Sequence, residues 1–205
     1  MVLPPGDCGD FRPSVNSHQK RQGLCYAIEG LNSFGTAFFF PYLYFLLHDQ
    51  FGFRDRSNLV FAALLGVCYA VGSWQAGKLA KRWGYFFTLK LGFGIMIIAL
   101  VAGALLNSAV GIVIAAAMVT LGMCCTWPVL EALVSEGESP NHVPHAVGLY
   151  NITWAVTNAA ALFIGGTLLV KFGYRSLFYV PAGLLACQFV LALWLEKLPG
   201  PAAAK

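Results

Sequence analysis

The sequence predicts an all-α membrane protein with six transmembrane helices, and two observations support that prediction. The first is composition: 58% of the 205 residues are hydrophobic and only 11% are charged, whereas a soluble domain carries about 25% charged residues to cover its surface. The second is the grouping of apolar residues into stretches close to or above the roughly 20 residues that a helix needs to cross a bilayer. These six stretches are 24–47, 58–80, 86–106, 109–134, 147–170 and 176–195.

Each stretch, in chain order, has features that fit a membrane helix. The first follows a polar segment, residues 1–23, without the apolar core of a signal peptide, so we expect a cytoplasmic leader and then a retained helix. The second is rich in small residues that allow close helix packing, and a basic turn separates it from the third. The first, fourth and sixth contain Pro41, Pro128 and Pro181, which membrane helices tolerate. The fifth ends in a second basic turn, and residues 197–205 after the sixth are predicted to form a cytoplasmic tail.

The positions of the cations predict how the bundle, residues 24–196, is oriented. If the N-terminus is cytoplasmic, nine cations lie inside or near the inner interface, namely Arg12, Lys20, Arg21, Lys78, Lys81, Arg82, Lys90, Lys197 and Lys205. The four cations on the outside are then Arg54, Arg56, Lys171 and Arg175. The positive-inside rule therefore favours a cytoplasmic location for both termini, and we expect the protein in the plasma or inner membrane of the cell.

Two short basic turns share a pattern 89 positions apart: residues 77–87 read GKLAKRWGYFF, and residues 166–178 read GTLLVKFGYRSLF. The matching residues of the first turn are Gly77, Leu79, Arg82, Trp83, Gly84 and Tyr85, and those of the second are Gly166, Leu168, Lys171, Phe172, Gly173 and Tyr174. Three helices separate the turns, so a repeated three-helix unit would be inverted across the bilayer, as in many secondary transporters. Chance is the alternative, because glycine and cations are common at helix ends. The matches favour a 3+3 inverted repeat.

The first turn also resembles the signature of the loop between helices 2 and 3 in the major facilitator superfamily. The glycines, the leucine, the small residue, Arg82 and the aromatic residue match, while Lys81 stands where the family usually has an acid. Similarity continues through Trp127-Pro128, Glu131, Tyr150-Asn151, Trp154, Gly165-Gly166 and Gly173-Tyr174-Arg175, and covers about residues 20–195. The resemblance implies that the gating loop of the family corresponds here to Gly77, Lys81, Arg82 and Gly84.

The family resemblance implies a transporter made of two six-helix halves with the substrate held between them. This chain is similar to the N-terminal half, because a polar leader precedes its six helices and Leu198-Pro199-Gly200-Pro201 stands where the central loop of the family begins. Two possibilities stay open. The chain is a truncated product, or it works by pairing with a second copy or a separate half.

Polar side chains within three predicted helices form stripes that could line a substrate path. Helical spacing brings the members of each stripe to one face; they are Glu29, Ser33 and Thr36 on the first helix, Thr120, Cys124, Trp127 and Glu131 on the fourth, and Asn151, Trp154 and Asn158 on the fifth. Asn32 is a further polar candidate on the first helix. A charged side chain at a helix centre costs about 2.5–3.5 kcal/mol on insertion scales, so it turns towards water or a partner. The family resemblance implies that helices 1 and 4 line the translocation path.

Each candidate also has a structural interpretation. Glu29 and Glu131 lie near helix ends and could reach the membrane interface. Asn and Thr stripes commonly hold helices together, at about 0.6 kcal/mol per contact, and Trp127 and Trp154 could be interfacial anchors. Proton-coupled relatives often have an arginine where this chain has Met118, so proton transfer by either carboxylate is only a hypothesis.

No pattern in the sequence indicates an enzyme, a cofactor or nucleic-acid binding, and we predict no catalytic residue. Nucleophile-elbow, zinc-protease and phosphate-loop motifs are absent. The six cysteines lack metal spacing, and His142 and His145 alone make a poor metal site. The net charge of +4 is explained by cations near the membrane surface.

The sequence therefore predicts a secondary active transporter that moves a small solute by alternating access. The expected partners are the lipid bilayer, an unknown small-molecule substrate, and a second copy or separate half. The alternative is a membrane protein that does not transport, acting as a remnant or as an assembly or regulatory partner.

Overall fold

The computed structural model describes the backbone of residues 15–200 and the side chains from residue 18 to residue 200. Within these residues the predicted all-α fold is confirmed. The helices are α1 (Val15–Phe51), α2 (Asp55–Trp83), α3 (Tyr85–Leu105), α4 (Ala109–Ser135), α5 (Val143–Phe172) and α6 (Ser176–Lys197). Five of them, α2 to α6, are long and apolar enough to cross a membrane.

The first helix begins earlier than the sequence predicts. Residues 15–23 of the predicted leader are helical and continue directly into the first apolar stretch. The rest of the leader and residues 201–205 of the predicted tail lie outside the described residues. Arg12 and Lys205, which contribute to the predicted orientation, lie there too.

The composition of α1 reflects its central position. The helix has 37 residues, but it does not contain a segment as apolar as those of the other five helices. Its middle carries Glu29, Asn32, Ser33 and Thr36, all buried inside the bundle. Because neighbouring helices cover these side chains, α1 does not need the apolar surface of a lipid-facing helix.

The two basic turns are shorter than predicted. Gly84 is the single residue between α2 and α3, so Lys81 and Arg82 belong to the last turn of α2 rather than to a loop. Cations are stabilised at a helix C-terminus by the helix dipole, and a glycine with φ of 89° then reverses the chain. Gly173 after α5 has the same role with φ of 71°.

The packing of the bundle centres on α1 and α4. α1 packs mainly against α5 and α6, α4 packs mainly against α3 and α2, and α3 also packs against α6. The closest approach of α3 and α4 occurs where Gly92 faces Gly122, since a Cβ on Gly92 would lie 2.7 Å from the Gly122 carbonyl oxygen. α2 and α5 are the most exposed of the apolar helices.

Polar contacts tie the helices together at the end of the bundle where α1 begins, called here the N-terminal end. Arg21 Nη2 lies 2.8 Å from Glu136 Oε2, just after α4, and the Arg21 guanidinium lies 5.7 Å from the centre of the Phe86 ring on α3. Lys90 Nζ on α3 lies 2.8 Å from Glu196 Oε2 on α6. The first basic turn is therefore at the N-terminal end.

The second basic turn lies at the opposite end. There the Tyr174 hydroxyl donates a hydrogen bond to the Asp49 carboxylate near the end of α1. Hydrogen bonds with His48 and Tyr174 hold the pKa of Asp49 below its ordinary value. Successive helices therefore alternate in direction, with the two basic turns at opposite ends of the bundle.

Candidate functional site

An open recess of about 350 Å³ lies on the face of the bundle formed by α1, α2, α4 and α5. All four helices contribute side chains to it: Glu29, Tyr69, Trp127, Pro128, Glu131, Tyr150, Asn151 and Trp154. Its volume is within the range of about 300–1,000 Å³ that is typical of small-molecule sites.

Glu29 is held at the inner wall of the recess by two hydroxyl groups. Its side chain is fully buried, with 0% exposure. Ser33 Oγ, one turn further along α1, donates to Glu29 Oε1 at 2.5 Å, and the Tyr150 hydroxyl of α5 donates to Oε2 at 2.7 Å. Burying a carboxyl group requires such partners, and this pair fixes the direction in which the Glu29 carboxyl group points.

Aromatic side chains form much of the remaining wall. Tyr69 and Trp127 meet edge to face, with ring centres 5.8 Å apart and planes at 75°. Trp127 and Glu131 are four residues apart on α4, so one helix face presents both to the recess. Glu131 and Asn151 are exposed, and Trp154 is 42% exposed. These three side chains are accessible to a solute that enters.

The indole N–H of Trp127 is a donor without an established acceptor. The ring lies near the Glu29 carboxylate, but Nε1 is buried and does not meet hydrogen-bond geometry with any described residue. A buried N–H without a partner is unfavourable. The Glu29 carboxyl group is therefore the nearest candidate acceptor for this N–H.

Three predicted site residues on α1 point away from the recess opening. Asn32 and Thr36 line a second, much smaller cavity inside the bundle, together with Gln188 of α6. Both polar side-chain atoms of Asn32 and of Gln188 are without a hydrogen-bond partner among the described residues. Ser33 reaches the recess only through its hydrogen bond to Glu29.

Two further predicted residues line neither cavity. Thr120 is buried, and its hydroxyl donates to the Ala116 carbonyl on its own helix at 3.0 Å. Asn158 is half-buried on α5, beyond Trp154. Of the predicted stripes, the structure thus brings Glu29, Trp127, Glu131, Asn151 and Trp154 together around one recess.

A comparison with known families gives a result that agrees with this architecture. The family model described as Major Facilitator Superfamily matches residues 23–205. The chain belongs to the major facilitator superfamily. No curated protein matches it. Membership in the family implies a multi-pass membrane transporter, and such transporters are generally not enzymes.

The predicted gating-loop residues lie at the end of α2 and in the turn that follows it. Lys81 and Arg82 are exposed, and neither forms an ion pair within the described residues. Gly84 has the positive φ that the turn requires, and a Cβ at Gly77 would meet open space. Within residues 15–200 there is also no cluster of three or more His, Cys, Asp or Glu suited to a metal ion.

Three residues of the recess, Tyr69, Pro128 and Tyr150, were not predicted as site residues from the sequence. Tyr150 was recognised only as part of the family resemblance, and Tyr69 was not singled out at all. A tyrosine within an apolar helix does give a signal, because its hydroxyl group needs a partner when it is buried. That signal does not identify the partner, which for Tyr150 lies 121 positions away at Glu29.

Proposed function

We propose that this member of the superfamily is a secondary active transporter that moves a small solute by alternating access. The observation that carries the proposal is the recess, where polar and aromatic side chains of four helices surround a buried carboxyl group at Glu29. Polar groups within a membrane bundle commonly mark a substrate or ion pathway. Glu131, Asn151 and Trp154 are the proposed first contacts of the solute, and Glu29 is the proposed inner contact.

An inverted repeat of α1–α3 and α4–α6 is supported by the helix packing. Exchanging α1 with α4, α2 with α5 and α3 with α6 converts the principal contacts of α1 into those of α4. The same exchange brings Gly84 onto Gly173, and both have positive φ. Both glycine N–H groups donate to the carbonyl four residues earlier, at 2.9 Å and 2.8 Å. Such a repeat would supply two similar arrangements between which a transporter can alternate.

A second six-helix unit is proposed to close the recess. α2 and α5 flank the recess and are the most exposed apolar helices. A second copy related by a two-fold axis across the recess would place α2 of one copy against α5 of the other. A separate half with the same six-helix architecture would occupy the same face.

We also propose an orientation in which both termini of the chain lie in the cytoplasm. The N-terminal end of the bundle carries the exposed cations Lys78, Lys81 and Arg82 at the end of α2, which favours a cytoplasmic location. In this orientation Gly77, Lys81, Arg82 and Gly84 would form a cytoplasmic gate element in the plasma or inner membrane.

Uptake into sealed vesicles tests the transport proposal. The purified chain is reconstituted into liposomes, a proton gradient is imposed, and a defined panel of cationic, anionic and neutral solutes is measured inside the vesicles by mass spectrometry. We expect at least one solute to accumulate above the level in empty liposomes. Trp154→Leu in the recess should reduce that accumulation, whereas Trp194→Leu on α6, which replaces a tryptophan 55% exposed outside the recess, should not.

If correctly folded protein that pairs with a second copy accumulates no solute, the non-transporting alternative is supported instead. Glu29→Gln and Glu131→Gln test whether transport is coupled to protons. If it is, at least one of these variants should alter the pH dependence of uptake. Pairing is tested separately by a cysteine at Val71 on α2 and another at Val156 on α5, in a chain whose exposed Cys68 and Cys187 are replaced by serine. Both positions are exposed, and they are equally far from the neighbouring helix ends Asp55 and Phe172. A disulfide between two chains in membranes would support the two-fold arrangement, and a strictly monomeric product would exclude it.

A further inference from the structure

The lining of the recess has a chemical character that selects among solutes. It contains two carboxyl groups, Glu29 and Glu131, and four aromatic rings, those of Tyr69, Trp127, Tyr150 and Trp154. None of the side chains that the structure places in the lining is a lysine, arginine or histidine. Building on the proposed transport function, we infer that the recess binds a small organic cation, such as an amine or a quaternary ammonium compound.

The two carboxyl groups occupy different depths. Glu29 is fully buried and is oriented by Ser33 and Tyr150, while Glu131 is exposed on α4. Among the described residues neither carboxyl group has a Lys, Arg or His within ion-pair distance. A cation that enters therefore meets negative charge first at Glu131 and then, at Glu29, a buried carboxyl group without a paired cation, in surroundings where charge interactions are stronger than in water.

The aromatic rings add a second attraction for the same class of ligand. A cation over the face of Trp or Tyr is attracted by the electron-rich ring, and cages of such rings recognise quaternary ammonium groups. Trp127 and Tyr69 are held together edge to face, so their positions are set before a ligand arrives. Trp154 is more exposed and lies towards the opening.

Other solute classes fit this lining less well. An anion would face two carboxyl groups without a compensating cation in the lining. A neutral solute would supply no positive charge to the carboxyl groups or to the faces of the aromatic rings.

A binding experiment with matched probes tests this inference on the full chain. Choline, its neutral isostere in which carbon replaces the quaternary nitrogen, and dimethylbutyrate as an anion of similar shape are titrated against the purified protein in detergent. Binding is followed by calorimetry and by tryptophan fluorescence. We expect choline to bind about tenfold more tightly than its neutral isostere, or better, and the anion to bind more weakly still.

Variants locate the binding to the recess. Glu131→Gln and Trp154→Leu should each weaken choline binding about fivefold or more, and Trp194→Leu should leave it unchanged. Tetraethylammonium provides a second cation for the same series. The inference is overturned if the neutral isostere matches choline, if neither cation binds at millimolar concentration, or if folded Glu131→Gln binds choline as the unaltered protein does.

The outcomes separate this inference from the transport proposal. Selective choline binding by a paired protein that accumulates no solute in vesicles would retain the cation site and refute transport. Accumulation restricted to neutral or anionic solutes would retain transport and refute the cation site.

Discussion

The crossing of α3 and α4 can be tested by adding one methyl group at Gly92. A Cβ there would lie 2.7 Å from the Gly122 carbonyl oxygen, 2.8 Å from Thr126 Cγ2 and 2.9 Å from Cys125 Cβ. Carbon and oxygen atoms that are not bonded normally stay about 3.3 Å apart or more. These neighbours belong to or lie next to the backbone of α4, so Gly92→Ala requires the two helices to separate by roughly 0.5 Å.

A matched control variant on the same helix isolates the free-energy cost of this clash. A Cβ at Gly94 would have no neighbour within 4 Å, so Gly94→Ala has the same gain in helix propensity without the clash. The difference in unfolding free energy between the variants is then the overpacking effect alone, about 1–3 kcal/mol.

Thermal unfolding of both purified variants in the same detergent measures this difference. We expect Gly92→Ala to unfold at the lower temperature, by about 2–4 °C for each kcal/mol in a chain of this size. Equal midpoints for the two variants would refute the close approach of α3 and α4 on which the argument rests.

Three further predictions concern polar groups. Tyr150→Phe should lower the unfolding free energy by about 1.5–3 kcal/mol, because buried Glu29 loses a hydroxyl donor; thermal unfolding measures the loss. Gln188→Met should raise it by about 1–3 kcal/mol, because a buried amide without partners is replaced by an apolar side chain of similar shape. Asp49→Asn should make the stability of the fold less sensitive to acid, which is measured by following the unfolding midpoint as the pH is lowered. The folded pKa of Asp49 is lowered from 3.8 by hydrogen bonds with His48 and then Tyr174. Its ionised form therefore stabilises the protein above pH 3.8, and that contribution disappears as pH falls through the folded pKa.

Each of these predictions has a control at an exposed position. Tyr179→Phe removes a hydroxyl at a residue 48% exposed and should leave stability unchanged. Gln75→Met replaces an exposed glutamine and should not stabilise the bundle. For the acid series, Tyr179→Phe is also the control and should unfold on acidification as the unaltered protein does. Equal effects of a variant and its control would contradict the corresponding argument.

The sequence was a sufficient guide to the helices but a weaker guide to their ends. Apolar stretches report only the part of a helix that lies in hydrocarbon, so the polar first turns of α1 were assigned to a leader. The basic turn was predicted as a loop that contains Lys81 and Arg82, yet it reduces to Gly84. A single glycine with positive φ is enough to reverse the chain there.

The candidate site shows a similar division. Spacing along one helix predicted that Trp127 and Glu131 share a face of α4, and both line the recess. The same reasoning grouped Thr120 with them, but its hydroxyl bonds its own helix backbone. Periodicity shows which residues form a stripe on one helix face. It does not show where along the stripe the neighbouring helices diverge to form an opening.

The sequence by itself determined that the chain lies in a lipid bilayer, that it forms six helices and that it belongs to this family. Apolar length, glycine turns and a local motif are properties of contiguous residues, so they are visible without the fold. Only the tertiary structure decided which polar residues meet. Glu29 and Tyr150 are joined across 121 positions, while Asn32 turns towards Gln188 and away from the recess. The reason is physical: the rotation of each helix about its axis is set by packing against all its neighbours, through contacts such as Gly92 on Gly122.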